Sequence, residues 1–211
     1  MANSESEATP LNPTTPPDPM NLSPWREYAL GYLRAQLRED APGELGVARV
    51  FERSPLEGDG AVVVFEFRAR RGAAESDQYY VVVGQTEPNY YPAYGLDADE
   101  AYSLHLGTRF MLVMGVAQCV APEGIDVMAA ARVVVDRVAP SAPIEGLTVA
   151  ACFDVEGQHH VVLRGRVAGQ DVYIMAGEAP AGFSRRVELP PQVAYRLHVG
   201  AVLRVEAHRA E

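Results

Sequence analysis

Histidine is the side chain best suited to acid–base chemistry near neutral pH. His105 and His198 lie 93 residues apart in the same phrase, A-Y-x-L-H-x-G. One interpretation places each imidazole in the last turn of a helix, where the helix dipole favours a cation. The other makes His105 and His198 a pair of ligands or acid–base groups that meet in the fold. We favour the structural interpretation and keep the pair as an alternative ligand site.

The remaining clusters of polar residues predict no metal site. His159 and His160 are adjacent in a stretch that predicts a strand, so their side chains should lie on opposite faces. The acidic residues Asp97, Asp99 and Glu100 are typical of the first turn of a helix, with Asp97 as the N-cap. We therefore expect neither a metal nor another cofactor.

The composition excludes several kinds of catalytic site. All 18 basic residues are arginine, so a Schiff-base lysine and a P-loop lysine are ruled out. The motifs G-x-S-x-G, H-E-x-x-H and C-x-x-C are absent, and so is a glycine-rich phosphate loop. The two cysteines, Cys119 and Cys152, indicate buried reduced thiols rather than a disulfide framework. The sequence leaves enzymatic activity uncertain and favours a protein that is not an enzyme.

Charge and hydropathy limit the partners. The net charge of −10 and the pI of about 5.0 repel phosphate backbones, so we expect no nucleic acid. The longest uncharged apolar run, residues 110–122, is too short to span a bilayer, and no signal peptide is recognisable. We expect a cytoplasmic protein without a membrane span. Exclusive use of arginine, with abundant Ala, Val, Gly and Pro, indicates a GC-rich bacterial genome.

A tyrosine-rich loop is the most distinctive feature that the core does not require. It carries Asn89, Tyr90, Tyr91 and Tyr94 within the stretch EPNYYPAYGL. Tyrosine provides rigid amphipathic contact area and is enriched in interfaces. We therefore predict an interaction or adaptor module that binds a protein partner or a second copy through this loop, or through strand addition to an exposed sheet edge. Two alternatives stay open: the tyrosines pack over the sheet, or the protein is a structural assembly component.

An internal repeat organises the elements that would position these residues. Residues 79–116 align without a gap with residues 172–209, with eight identities. We predict an α+β fold of two tandem α-β-β-β-(short α)-β repeats with antiparallel sheets, at residues 23–120 and 121–211, after a disordered Pro-rich tail at 1–22. The repeats would pack as a pseudo-two-fold dimer. This element order is similar to that of small acidic secretion chaperones and cystatin-like folds, a likeness of topology that implies no site.

Propensity and turn residues predict the individual elements. In the first repeat a helix opens at Ser23-Pro24, strands follow at 44–54, 60–70 and 78–85, a short helix at 98–106 ends at Gly107, and a strand follows at 108–116. In the second repeat a helix is predicted at 125–138. The alternation of apolar residues over 195–207 also permits one long strand in place of helix and strand.

Overall fold

A computed structural model describes residues 21–52, 60–69, 77–84, 86–177 and 180–209. The predicted tail at 1–22 lies outside these residues except for its last two. The chain divides into two compact units, Met1–Ala101 and Tyr102–Glu211.

The first unit packs one helix on a four-stranded antiparallel sheet. Helix α1 (Ser23–Leu37) buries Trp25, Ala29 and Leu33, which recur every four residues and so form one stripe. The sheet has the order β1-β2-β3-β4. Its strands are β1 (Gly46–Phe51), β2 (Val62–Ala69), β3 (Asp77–Val83) and β4 (Asn89–Pro92). The predicted helix and the three-stranded meander are confirmed, whereas β4 lies in the stretch predicted as a loop.

The second unit contains a five-stranded antiparallel sheet with the order β5-β6-β7-β8-β9. Helix α3 (Val127–Val138) packs on the sheet through Ala131, Val134 and Val135. The strands are β5 (Ala117–Gln118), β6 (Ile144–Val155), β7 (Gln158–Val167), β8 (Gln170–Ala176) and β9 (Gly182–Ser184). Helix α4 (Pro191–Arg209) ends the described chain. The predicted α+β class with antiparallel sheets is confirmed.

The segment after Asp97 is one long helix, α2 (Ala98–Val113). Its start is as predicted: the Glu100 N–H donates to Asp97 Oδ1 at 2.8 Å, and the Asp97 N–H donates to Glu100 Oε2 at 3.1 Å, a capping box. The acidic cluster is thereby explained as a helix start. The predicted end at Gly107 and the strand at 108–116 are wrong. The long strand over 195–207 is also wrong, because these residues belong to α4.

A helix crossing within the second unit explains the two glycines. A Cβ atom added to Gly107 would lie 1.8 Å from the Arg196 backbone oxygen on α4, and one added to Gly200 would lie 1.7 Å from the Ser103 backbone oxygen on α2. The contact is reciprocal, since each glycine meets the residue four positions before the other glycine. These glycines allow two helix backbones to touch, a role that needs no positive φ. Each helix therefore continues through its glycine instead of ending there.

Two buried hydrogen bonds recur at the repeat spacing. The Tyr80 hydroxyl donates to the Leu96 carbonyl at 3.1 Å, and the Tyr173 hydroxyl donates to the Leu189 carbonyl at 3.1 Å. These four residues form two of the eight identical pairs. In each case a tyrosine on a sheet strand is hydrogen-bonded to the segment that precedes a helix. Packing of the repeats as a pseudo-dimer stays a prediction.

Candidate functional site

The tyrosines of the predicted binding loop have different environments. Tyr91 is 6% exposed and belongs to the core. The Tyr90 ring lies 6.2 Å from the ring of Tyr79 and 6.4 Å from that of Tyr32, at centroid distances typical of aromatic packing. Tyr94 is 44% exposed, in a turn with a φ of 49°. Tyr94 therefore offers a partner the largest exposed fraction of the three.

Tyr90 also joins a group that spans two elements. We call Tyr28, Tyr32 and Tyr90 the tyrosine surface; all three are partly buried. Burial, followed by the neighbouring Tyr90, Glu87 and Tyr28, raises the pKa of Tyr32 to about 12. Burial and then Glu87 also raise the pKa of Tyr28. The surface therefore places three phenol groups near the side chain of Glu87.

Asn89 protects the outer edge of β4. The Ala93 N–H donates to the Gln78 carbonyl at 2.9 Å, which makes residues 89, 91 and 93 the ones bonded to β3. The outward positions are then Tyr90 and Pro92. Asn89 Oδ1 accepts from the Tyr90 N–H at 2.9 Å, and proline has no N–H. Neither outward position offers a donor to an added strand, which argues against strand addition at this edge.

The two repeated histidines lie close to the helix crossing. His105 is two residues before Gly107 on α2 and is only 2% exposed, so solvent does not reach its imidazole. His198 is two residues before Gly200 on α4, and its ring packs on Gly182 so closely that a Cβ atom there would lie 2.4 Å from Cε1. Burial lowers the pKa of His198, and hydrogen bonds to the backbone of Pro180 and Ala181 oppose that shift. The predicted placement of each imidazole in the last turn of a helix is wrong, because α2 and α4 continue well past the histidines. A ligand role for the pair stays a prediction.

The end of α2 is apolar and uncovered. Residues 110–114, here the apolar surface, read Phe-Met-Leu-Val-Met, and none of the five is buried. Leu112 is 67% exposed and Val113 is 73% exposed. Because the sequence predicts a strand at 108–116, this surface is not recognisable from the predicted elements. One sequence feature does indicate this surface: residues 110–122 form the longest run without a charged residue in the chain.

Two thiols and an imidazole converge at one end of the second sheet. We call Cys119, Cys152 and His159 the thiol–imidazole cluster. The two Sγ atoms lie 3.0 Å apart, and Cys119 Sγ lies 3.7 Å from His159 Nδ1. Asp154 Oδ2 lies 4.0 Å from the same nitrogen.

The neighbouring histidine belongs to the opposite face of the sheet. His160 Nδ1 lies 2.9 Å from the Tyr195 hydroxyl oxygen in the core, and the Tyr195 ring stacks on Phe153 at 4.4 Å between centroids. The prediction that His159 and His160 lie on opposite faces of the sheet is therefore confirmed. Only His159 belongs to the thiol–imidazole cluster. The cluster is not recognisable from the sequence, because its residues lie 33 and 7 positions apart and form no spaced motif.

Comparison of the chain with protein-family models, with curated proteins and with solved structures finds no match, so its function has to be inferred from its own geometry.

Among the helices of the described ranges, none has the combination of length and apolar character that crossing a bilayer requires.

Proposed function

We propose that this protein is a non-catalytic interaction module that associates through the apolar surface, residues 110–114. The observation that carries the proposal is a run of five consecutive apolar residues at and just beyond the end of α2, of which Leu112 and Val113 are exposed and the other three are only partly buried. Contiguous exposed apolar area is uncommon on monomeric proteins and marks sites of association.

The occupant that we propose is a second copy of this chain. Each copy carries a net charge of −10, so two copies repel each other over most of their surface. Residues 110–122 carry no charge, and the repulsion is weakest where they meet. In a two-fold symmetric dimer the apolar surface of one copy packs on that of the other, so a single contact buries both.

Sedimentation velocity over a range of protein concentrations tests this proposal. The wild type should change from 22.9 kDa to twice that mass as concentration rises. The double variant Leu112→Gln with Val113→Gln should weaken the dimer at least about 100-fold, because each buried side chain contributes about 1.5–3 kcal/mol. Val138→Gln is the matched control, since Val138 is 68% exposed at the end of another helix.

Either of two results would contradict the proposal. One is a wild type that stays monomeric at every concentration, and the other is a double variant that dimerises as tightly as the wild type. Equal weakening by Val138→Gln would show that general surface hydropathy, and not this surface, drives the association.

A second candidate function is binding of a basic protein segment at the tyrosine surface. It rests on the clustering of Tyr28, Tyr32 and Tyr90 beside Glu87. Burial first, and then Glu87, raise the pKa of Tyr28, and burial followed by Tyr90, Glu87 and Tyr28 raises that of Tyr32. Aromatic faces next to a carboxylate attract arginine by cation–π and charge interactions worth about 0.5–2 kcal/mol. Titration with a synthetic arginine–glycine peptide, followed by NMR, should show weaker binding to Tyr90→Leu than to Tyr94→Leu. Equal binding by both variants would exclude the tyrosine surface.

A further inference from the structure

We propose that Cys119, Cys152 and His159 form a binding site for a thiophilic metal ion, Zn²⁺. The three ligand atoms, two Sγ and one imidazole nitrogen, all lie within 4.8 Å of one another. Two thiolates with an imidazole are the donor set that proteins use for zinc. The site shares no residue with the apolar surface or with the tyrosine surface, so it does not depend on either proposed function.

Strand pairing brings the two thiols together. Gln118 pairs with Phe153 across β5 and β6, and the Cys119 N–H donates to the Cys152 carbonyl at 2.9 Å. Cys119 therefore lies directly opposite Cys152, in a cross-strand position where side chains on one face touch. The pairing positions both sulfurs before any metal arrives.

The adjoining hairpin supplies the third ligand. Strands β6 and β7 are joined by a tight turn at Glu156 and Gly157, with φ values of 53° and 82°. Asp154 pairs with His159 and Cys152 pairs with Val161, which puts His159 on the same face as Cys152. Asp154 is fixed in this turn because its Oδ1 accepts from the Gly157 N–H at 3.0 Å. Its other oxygen lies beside His159 and adds a negative charge next to the ligand set.

The spacing of the ligand atoms is close to that around a tetrahedral ion. Zn–S bonds of about 2.3 Å and Zn–N bonds of about 2.0 Å place two sulfurs about 3.8 Å apart, and a sulfur and a nitrogen about 3.5 Å apart. The distance of 3.7 Å from Cys119 Sγ to His159 Nδ1 is close to the ideal sulfur–nitrogen distance. The two sulfurs lie 3.0 Å apart and must separate by about 0.8 Å to reach the ideal sulfur–sulfur distance. Cys119 lies just beyond a two-residue edge strand and is partly exposed, so its side chain has room to move.

Solvent reaches one ligand of the proposed site. His159 is exposed and lines an open groove of about 430 Å³ beside α3. A metal bound here would hold the cysteines as thiolates and release their protons, since metal ligands must be deprotonated.

Titration of the full chain with Co²⁺, kept reduced by a phosphine, tests the site. One equivalent should produce thiolate-to-cobalt charge-transfer absorbance, and Zn²⁺ should abolish that absorbance by displacing the Co²⁺. Cys119→Ser and His159→Gln should each weaken Co²⁺ binding about 100-fold or more, because each removes a ligand. Glu156→Gln, which removes a charge from the same turn without removing a ligand, should bind as the wild type does.

Three results would overturn the proposal. The first is that the reduced wild type gives no charge-transfer absorbance. Ready formation of a disulfide in air would not change that conclusion. Alternatively, either ligand variant would bind Co²⁺ as tightly as the wild type, or Glu156→Gln would weaken binding as much as they do. Far-UV circular dichroism checks folding, and if Cys119→Ser unfolds the chain, the exposed His159→Gln variant decides alone.

Discussion

Replacing Gly107 with alanine should destabilise the second unit, although alanine is the better helix former. The added Cβ atom would lie 1.8 Å from the Arg196 backbone oxygen. Cβ atoms essentially never come within 3.0 Å of such an atom, so the helix backbones must separate by at least 1.2 Å, the difference between these distances. Backbone atoms cannot rotate away as a side chain can, so the crossing itself has to open.

Two opposing terms set the size of the effect. Alanine in place of glycine inside a helix gains about 1 kcal/mol. Overpacking of a closely packed contact costs about 1–3 kcal/mol, and a backbone clash belongs at the upper end. The net loss for Gly107→Ala should therefore be about 2 kcal/mol. Gly200→Ala meets a similar contact, 1.7 Å from the Ser103 oxygen, and should cost about as much.

Urea unfolding followed by far-UV circular dichroism measures this loss. With an m-value of about 2 kcal/mol per molar urea, the midpoint should fall by about 1 M for either single variant. Gly43→Ala is the control, because a Cβ atom at Gly43 has nothing within 4 Å. This control should leave the midpoint unchanged or raise it slightly.

The double variant, Gly107→Ala with Gly200→Ala, tests whether the two substitutions disturb one shared contact or two independent ones. A Cβ atom at Gly200 would also lie 2.8 Å from the Gly107 nitrogen, so both substitutions act on one contact. Once the first has parted the helices, the second should cost less, and the two losses should not add. A Gly107→Ala protein as stable as the wild type would refute the crossing. Full additivity would refute the shared contact.

Three further predictions concern the buried polar groups and the protected edge. Tyr195→Phe removes a buried hydrogen bond to His160 and should lower the free energy of unfolding by about 1 kcal/mol; an unchanged urea midpoint would contradict this. Because burial lowers the pKa of His198, the unfolded chain binds more protons than the folded chain below the unfolded value of about 6.5. Stability should therefore fall as the pH drops from about 7 to 5, and His198→Gln should flatten that slope; an equal slope in the variant would contradict it. Asn89→Ala exposes the outward Tyr90 N–H and should increase aggregation measured by light scattering, whereas Asn89→Asp keeps an acceptor and should not; equal scattering by both would count against edge protection.

Local sequence signals predicted most of the secondary structure. Ser23-Pro24 indicated the start of α1, and the capping residues Asp97 and Glu100 indicated the start of α2. β-branched and aromatic residues indicated β1 to β3. Propensity and capping act between near neighbours in the chain, so these features can be recognised without the fold.

The same signals failed where a distant contact overrides the local preference. The stripe of α1 buries Ala29 and Leu33 with Trp25, while Tyr28 and Tyr32 stay only partly buried. Spacing alone does not separate the two sides, because Trp25, Tyr28 and Tyr32 also recur at helical intervals. The position of the sheet, and not hydropathy alone, determines which stripe is buried.

The candidate sites were predicted less completely than the fold. Tyrosine enrichment predicts a partner site at Tyr90, Tyr91 and Tyr94, but only strand pairing shows that Asn89 protects an edge. Cys119, Cys152 and His159 carry no common motif, and they meet because β5 pairs with β6 and the β6–β7 hairpin folds back. Register between strands is a tertiary quantity, since a shift of one residue would turn each side chain to the other face.

The repeated phrase A-Y-x-L-H-x-G shows what each level decides. The sequence by itself determined that the phrase occurs twice, that an acidic first turn starts a helix in the first occurrence, and that lysine chemistry is excluded. Only the tertiary structure decided that both helices run through their glycines. A glycine reads locally as a helix end because it lowers helix propensity. At Gly107 and Gly200 a close backbone contact between two distant segments requires the missing side chain, and that requirement is invisible until the helices are packed.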